Sequence, residues 1–299
     1  MRQQLKRYLL ALCVVLSVTP KTLADRPQPD ALTTIDVPGA SFTSAQGINA
    51  AGDIVGNYSS AGVFHGYLLS GGEFASIDFP GASSTFARQI NPRGDIVGAY
   101  VSVGVNHGYL LSAGEFVSID FPGARSSLAH GINPRGDIVG QYTSAGVTHG
   151  FLLSGGEFMT IDFPGASRTV AFAINPRGEI VGDYTSAGVT HGFLLRGGEF
   201  GSIDFPGAIF SSPRGINPRG DIVGNYISAG VTHGFLLRRG QFASIDVPGG
   251  TAALGIATRG DIVGAYASGN VVHGFLLSGR ELEDGEEDEG SPGTPAPLR

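Results

Sequence analysis

The chain alternates short apolar segments with turns rich in Gly, Pro, Asn and Ser, and one such arrangement recurs along most of its length. In one copy, segments of six or seven residues lie at 128–133, 137–142, 147–153 and 158–163. Asn-Pro-Arg-Gly, Ser-Ala-Gly and Ser-Gly-Gly separate them. Segments of this length with Gly and Pro between them are typical of all-β proteins. We therefore predict four strands per copy and almost no helix.

The second predicted strand indicates how the sheets pack. It has the sequence DIVGQY, in which Ile138 and Val139 are consecutive apolar residues. Successive side chains of a strand point to opposite faces, so this sheet is apolar on both faces. Both faces must then be covered. In a β-propeller each blade covers its neighbours in this way.

Six histidines mark the period of the repeat. Five of them are spaced by 42 residues, and the sixth follows after 40. They are His65, His107, His149, His191, His233 and His273. A four-stranded repeat of about 42 residues has the length of a propeller blade.

The two ends of the repeat region are offset in phase. The first three strands occur six times and so does the fourth, but the region begins with a fourth strand at 33–39 and ends with a third strand at 272–277. The N-terminal strand can therefore complete the last blade, which removes exposed sheet edges. We predict a six-bladed β-propeller whose last blade is closed by the N-terminal strand. A β-solenoid or prism is the alternative.

The recurring GIN, turn and GDIVG, followed by His-Gly-Phe or His-Gly-Tyr, resembles the bacterial extracellular repeats of the HAF family. That family carries GIN, a turn, GxxVG and then His-Ala-Phe. The resemblance covers residues 31–279, and Gly replaces the family's Ala in every copy. It implies an exported, propeller-like β-repeat protein, and it carries over no catalytic residues. The signature stands at His65-Gly66-Tyr67, His107-Gly108-Tyr109, His149-Gly150-Phe151, His191-Gly192-Phe193, His233-Gly234-Phe235 and His273-Gly274-Phe275.

The N-terminus predicts export. Arg2, Lys6 and Arg7 precede an apolar segment at 8–18, as in a secretory signal peptide. An uncleaved anchor is the alternative, although this segment is shorter than the roughly 20 residues of a membrane span. We expect a secreted or periplasmic bacterial protein with no membrane span after cleavage. The predicted organisation is a signal peptide at 1–24, a propeller at 25–279 and an acidic, Pro-rich, disordered tail at 280–299.

The composition of residues 25–299 excludes several function classes. This part has 15 Arg, no Lys and 26 Asp and Glu, a net charge of −11. An acidic body without lysine argues against nucleic acid as a partner. The single cysteine, Cys13, lies in the predicted signal peptide, so the mature chain has no disulfide and no thiol nucleophile.

The repeated polar residues are expected to be structural. One His per blade places the imidazoles too far apart to share a metal ion, whose ligands converge to about 2 Å. We predict that each repeat His bonds within its blade, to the Asp that ends the fourth strand or to a loop carbonyl. The Asn of GIN should cap its turn, and the repeated Tyr should pack between blades. No metal or cofactor is predicted.

The informative positions are those at which the copies disagree. One lies just before each Ile-Asn, on or near the innermost strand, where the blades converge. Binding residues commonly lie in variable segments on a rigid scaffold, and neutral drift is the alternative. The Arg and His members would favour a polar or anionic ligand. The candidate ligand-binding residues are Gln46, Arg88, His130, Phe172, Arg214 and Leu254.

Two functions from different classes are consistent with this pattern. We favour a monomeric binding scaffold for a small molecule, a glycan or a protein. The alternative is a propeller-based carbohydrate-active enzyme, a lyase or a hydrolase. An enzyme needs a non-repeating acid and base. Asp183 and His130 break the repeat, but they lie in different blades and on different strands, so we assign no catalytic residues.

Overall fold

The computed structural model describes residues 32–247 and 249–279, which form 24 strands. The predicted all-β class is confirmed. Within these residues no helix is long and apolar enough to cross a membrane. The predicted signal peptide at 1–24 and the predicted tail at 280–299 lie outside the described residues.

The strands fall into four groups by their place in the repeat, and in the third repeat they lie within two residues of the predicted bounds. The innermost strands are β2 (Phe42–Ile48), β6 (Ser84–Ile90), β10 (Ser126–Ile132), β14 (Arg168–Ile174), β18 (Phe210–Ile216) and β22 (Thr251–Ile256). The second strands are β3 (Ile54–Ser60), β7 (Ile96–Ser102), β11 (Ile138–Ser144), β15 (Ile180–Ser186), β19 (Ile222–Ser228) and β23 (Ile262–Ser268). The third strands are β4 (Val63–Ser70), β8 (Val105–Ser112), β12 (Val147–Ser154), β16 (Val189–Arg196), β20 (Val231–Arg238) and β24 (Val271–Leu277). The outermost strands are β1 (Leu32–Ile35), β5 (Glu73–Ile77), β9 (Glu115–Ile119), β13 (Glu157–Ile161), β17 (Glu199–Ile203) and β21 (Gln241–Ile245).

The sheets form a β-propeller arrangement of antiparallel four-stranded units. Strands β6 to β9, β10 to β13, β14 to β17 and β18 to β21 form four separate sheets. The remaining strands form one eight-stranded sheet, because a parallel bridge between Phe42 and Val272 joins the first and last repeats. The described residues therefore show four separate four-stranded blades, rather than the six that the repeat count predicts.

The two ends of the described chain meet in this large sheet. Strand β1 pairs antiparallel with β24, from Leu32 opposite Leu277 to Ile35 opposite Gly274. The N-terminal strand thus takes the fourth-strand place beside the last third strand, as the phase offset predicts. The innermost strands contact one another in chain order, and β22 contacts β2. The ring is therefore closed.

The hydrophobic core is divided between neighbouring sheets. Ile138 packs with Val97 and Ile119 of the preceding repeat. Val139, on the other face of the same strand, packs with Ala171 and Ile174 of the next repeat. Burying each such side chain contributes about 1.5–3 kcal/mol. The prediction that both faces of each sheet are covered by its neighbours is confirmed.

The glycine of DIVGQY permits a close approach of side chain to backbone. A side-chain carbon at Gly140 would overlap the carbonyl oxygen of Leu128 and lie 2.7 Å from the ring of Phe151. That ring is fully buried. The repeat therefore requires glycine here because an aromatic ring of the third strand lies against it.

The Asn of each GIN motif caps the turn that follows, as predicted. In the third repeat, Arg135 N and Asp137 N donate to Asn133 Oδ1 at 2.9 and 3.1 Å. Asn133 Nδ2 donates to the Asp137 carboxylate at 2.7 Å. The side chain thereby satisfies backbone donors that the tight turn leaves without strand partners.

Candidate functional site

Each innermost strand carries a β-bulge, and the bulged residue is the variable one. Between β10 and β11, Ala129 pairs with Gly140 and Gly131 pairs with Val139, so His130 has no partner. A bulge re-aims the side chain that it leaves out of the ladder. The other five innermost strands shift register in the same way. Their bulged residues are Gln46, Arg88, Phe172, Arg214 and Leu254.

The six bulged side chains, with Gln89, line one narrow cavity, which we call the central channel. Its volume of about 40 Å³ has room for a few water molecules. The structure therefore brings together all six residues that the sequence predicts as ligand-binding. Their binding role itself stays a prediction.

Arg214 is held in the channel by an aromatic ring. Its guanidinium carbon lies 3.9 Å from the ring centroid of Phe172, which is cation–π distance. Its Nε is buried and has no hydrogen-bond partner in the described part of the chain. Burial lowers the pKa of Arg214 to about 10, against the opposing effect of Asp183. The side chain therefore stays protonated at neutral pH.

Arg88 has weak contacts for a buried guanidinium. Its Nη1 donates to Gln46 Oε1 at 3.5 Å, and its guanidinium carbon lies 5.7 Å from the Phe86 ring centroid. Its Nε is buried without a hydrogen-bond partner among the described residues. Burial lowers the pKa of Arg88. Buried N–H groups without an acceptor carry a free-energy penalty that a suitable ligand would relieve.

His130 is kept neutral by its surroundings. Burial and the nearby charges of Arg88 and Arg214 hold its pKa well below the ordinary 6.5. Its Nε2 lies 3.4 Å from Gln141 Oε1, and its ring centroid lies 5.1 Å from that of Phe172. The channel thus presents a neutral imidazole between two cationic side chains.

An ion pair between the partly exposed Arg168 and the buried Asp183 lies beside the channel. Arg168 Nη1 donates to Asp183 Oδ1 at 2.5 Å, and Ser212 Oγ donates to Asp183 Oδ2 at 2.8 Å. The sequence shows that Asp183 breaks the repeat, but it does not predict the pairing with Arg168. The pairing could have been found from the strand register, because residues placed diagonally on neighbouring antiparallel strands can interact. Asp183 lies opposite Val170, two residues along from Arg168. Asp183 is bound within this pair rather than to His130.

The repeat histidines form a second, outer set, which we call the His–Asp ring. In every repeat, His Nδ1 lies 2.6–3.1 Å from the Asp carboxylate that follows the outermost strand, as predicted. The pairs are His65–Asp78, His107–Asp120, His149–Asp162, His191–Asp204, His233–Asp246 and His273–Asp36. The last pair joins the two ends of the described chain.

Four of the six repeated tyrosines stack on a Phe of the preceding repeat, in agreement with the predicted packing; they are Tyr100, Tyr142, Tyr184 and Tyr226. Tyr100 lies 3.6 Å, centroid to centroid, from Phe79 of the preceding repeat, and the two rings are nearly parallel. Its other neighbour is the His107 ring at 5.1 Å. Each such histidine is thus fixed by a ring and by a carboxylate. Among the described residues, no group of three or more His, Cys, Asp and Glu could hold a metal ion.

Solved structures support the fold of this chain. A streptogramin B lyase is 14% identical, with a TM-score of 0.50 over 83% of this chain and 97% of that one. A candidate gluconolactonase is 13% identical, with a TM-score of 0.54 over 82% and 91%. A candidate TolB from Agrobacterium tumefaciens is 16% identical, with a TM-score of 0.58 over 79% and 89%. At these identities the likeness is one of fold, and it supports a propeller scaffold.

A scan against protein-family models finds no match, and neither does a search of curated protein sequences. The HAF-type resemblance therefore stays a prediction.

Proposed function

We propose that this protein is an exported binding scaffold whose central channel takes an anionic group, such as a carboxylate, of a small molecule, glycan or protein. The observation that supports this most is the bulge on each innermost strand. Six equal backbone irregularities direct six side chains of five residue types into one cavity, and two of these are arginines with buried, unpartnered Nε atoms. A rigid ring supplies the geometry, and the variable residues supply the specificity.

The charge of the channel favours an anion. Arg88, Arg168 and Arg214 contribute three positive charges, and Asp183 contributes one negative charge that Arg168 already neutralises. A carboxylate between Arg88 and Arg214 would accept charge-assisted hydrogen bonds, each worth about 1.5–3 kcal/mol. Because the cavity is small, one such group enters it while the rest of the ligand stays at its mouth.

We further propose that the eight-stranded sheet acts as two four-stranded blades, which makes the ring six-bladed. Two observations support this count. A single residue pair joins the two halves of that sheet, and six innermost strands contact one another in a closed ring. The residues of the predicted signal peptide support export to the periplasm or the medium.

A glycan array, supplemented with acidic peptides, tests the binding proposal. We expect mature protein to retain carboxylated ligands, and Arg88→Gln with Arg214→Gln to weaken their binding at least tenfold. The matched control is Arg125→Gln, which removes one charge from an exposed position outside the channel. Equal binding by the double variant and the native protein would overturn the channel as the site.

A carbohydrate-active enzyme is the alternative. The carboxylate beside the channel, Asp183, is held by Arg168 and Ser212, so it is poorly placed to transfer protons. A turnover assay on any glycan that the array identifies separates the two functions, because a binding scaffold returns the glycan unchanged.

A further inference from the structure

A larger cavity lies between the fourth and fifth repeats, and it shares no residue with the central channel. Its volume is about 820 Å³. The charged side chains that line it are four arginines and one aspartate, so its charge is positive although the body of the protein is acidic. We call it the arginine cleft, after Arg196, Arg219, Arg238 and Arg239.

Two of these arginines replace a residue that serves the fold in the other repeats. In the first three repeats the third strand ends in Ser, which donates to the turn Asp at 2.6 Å. Arg196 and Arg238 occupy this place in the fourth and fifth repeats. Arg196 Nε lies 2.6 Å from Glu179, and Arg238 Nε lies 3.6 Å from Asp221. Serine contacts the turn carboxylate in the other repeats without adding charge, so the fold alone does not explain the arginines.

Arg238 and Arg239 both occupy energetically unfavourable positions. Arg238 Nε and Nη2 are buried without a hydrogen-bond partner in the described residues. Arg239 has a φ of 50°, at a turn position that is glycine in four other repeats. The left-handed conformation is unfavourable for a residue other than glycine. Positive charge is thus kept in the cleft at the expense of stability.

The described chain ends beside the same cleft. Gly279 N donates to Asp261 Oδ1 at 2.8 Å. Gly260 lies between this end of the chain and the cleft. A Cβ atom placed on Gly260 would be 3.7 Å from Gly279 Cα, and 3.0 and 3.2 Å from the Nη2 atoms of Arg219 and Arg238. Whatever follows Gly279 therefore starts next to two guanidinium groups.

The sequence that follows is strongly acidic. Residues 281–289 read ELEDGEEDE and carry seven carboxylates. Nine extended residues reach about 30 Å, several times the width of a cleft of this volume. Arginine and carboxylate form short bidentate pairs, which are stronger where water is partly excluded. We propose that residues 281–289 of the same chain bind the arginine cleft. The inference does not depend on the function of the central channel.

The test uses variants that the repeats themselves supply. Arg196→Ser, Arg238→Ser and Arg239→Gly each introduce the residue found in other repeats, so the triple variant should fold. Cleavage of the full chain within 281–289 by a glutamate-specific protease at low ionic strength is the measurement. We expect native protein to be cut at least tenfold more slowly than the triple variant. About 0.5 M salt, which screens these charges, should remove the difference.

Two controls separate charge from turn strain. Ala113→Gly relieves the same φ, also 50° in the second repeat, without changing charge. Arg125→Ser removes an exposed charge outside the cleft. Both should be cut at the native rate. Equal cutting of native protein and triple variant would overturn the proposal. Protection that grows with protein concentration would assign the bound segment to a second copy, which also overturns it.

A second variant keeps the cleft intact and guards against misfolding of the first. Its seven tail carboxylates are replaced by amides. A labelled free peptide of sequence ELEDGEEDE should bind this full-length variant at least tenfold more tightly than native protein, whose own tail competes. Equal affinity for both proteins would contradict the docking of the tail.

Discussion

The same repeats build the His–Asp ring and the central channel, but the side chains are identical in the ring and variable in the channel. In the His–Asp ring every repeat supplies the same pair at 2.6–3.1 Å. In the channel every repeat supplies the same backbone bulge, but the side chain varies among five residue types. Residues that are identical in all repeats are those that the fold requires, whereas residues that differ at an identical backbone position are those that the fold leaves free.

The physical cause of this contrast is polar satisfaction. Each repeat His is half-buried and has one carboxylate as partner, so replacing either residue removes a contact that every repeat makes. The bulge of the channel is a backbone feature that Gln46, Phe172 and Leu254 maintain equally well. Channel residues can therefore be exchanged with little effect on folding, and their chemistry is available for binding.

The largest effect should come from a position that is identical in all repeats. Gly140→Ala places a carbon against the Leu128 carbonyl and the Phe151 ring, and should destabilise the protein by about 3 kcal/mol or more. Denaturant unfolding measures it. Gly201→Ala is the matched control, because the space around Gly201 is open and other repeats carry Ala or larger residues there. A mild effect at Gly140 would show that the repeat is not fixed by packing.

A smaller effect should appear where the repeats differ by one hydroxyl. Tyr67 and Tyr109 are fully buried, and their hydroxyl groups have no hydrogen-bond partner in the described chain, whereas the equivalent residue in the other four repeats is Phe. Tyr67→Phe should raise the free energy of unfolding by about 1 kcal/mol. The reverse change, Phe151→Tyr, should lower it by about 1–3 kcal/mol. Thermal unfolding of both variants measures these changes in stability. A loss of stability in Tyr67→Phe would indicate that the Tyr67 hydroxyl has a hydrogen-bond partner.

Acid should act on the channel through His130. Its folded-state pKa is depressed, so the unfolded chain takes up a proton below pH 6.5 that the folded protein excludes. Stability should fall as the pH drops below 6.5, by at most about 1.4 kcal/mol per pH unit for this one group. The free energy of unfolding of His130→Gln, measured by denaturant unfolding, should therefore rise relative to that of the native protein from pH 6.5 to 4.5. A constant gap would contradict a neutral His130.

The smallest effect should come from one pair of the His–Asp ring. His149 and Asp162 are partly exposed, with side-chain exposures of 25% and 48%, so solvent screens their interaction. A double-mutant cycle with His149→Ala and Asp162→Ala should give a coupling of about 0.5–1 kcal/mol. A coupling of zero would mean that the histidine is kept in every repeat for its stacking on Tyr142 alone.

The sequence was sufficient to predict features that one repeat determines by itself. The His149–Asp162 bond follows from antiparallel pairing of neighbouring strands, and the Asn133 cap follows from turn chemistry. The sequence also predicted that the variable residues lie close together, because each precedes the same motif on an innermost strand. The sequence could not predict the bulges, which redirect side chains through a one-residue register shift that no residue type signals.

Features that depend on how repeats meet were not predictable either. The bridge between Phe42 and Val272, which joins the first and last repeats in one sheet, depends on how closely the ring closes. The arginine cleft depends on the separation of two neighbouring sheets, and Arg196 in place of Ser resembles ordinary surface variation along a single strand. Both needed three-dimensional distances between segments that are far apart in the chain.

The pairing of β1 with β24 sets an order of events in folding. Leu32 finds its partner Leu277 only after nearly the whole repeat region has been synthesised, so closure has a very high contact order. A chain that ends before β24 leaves β1 without its partner strand. The last repeat is therefore needed to complete the ring, because without β24 the sheet edge of β1 has no partner strand to cover it.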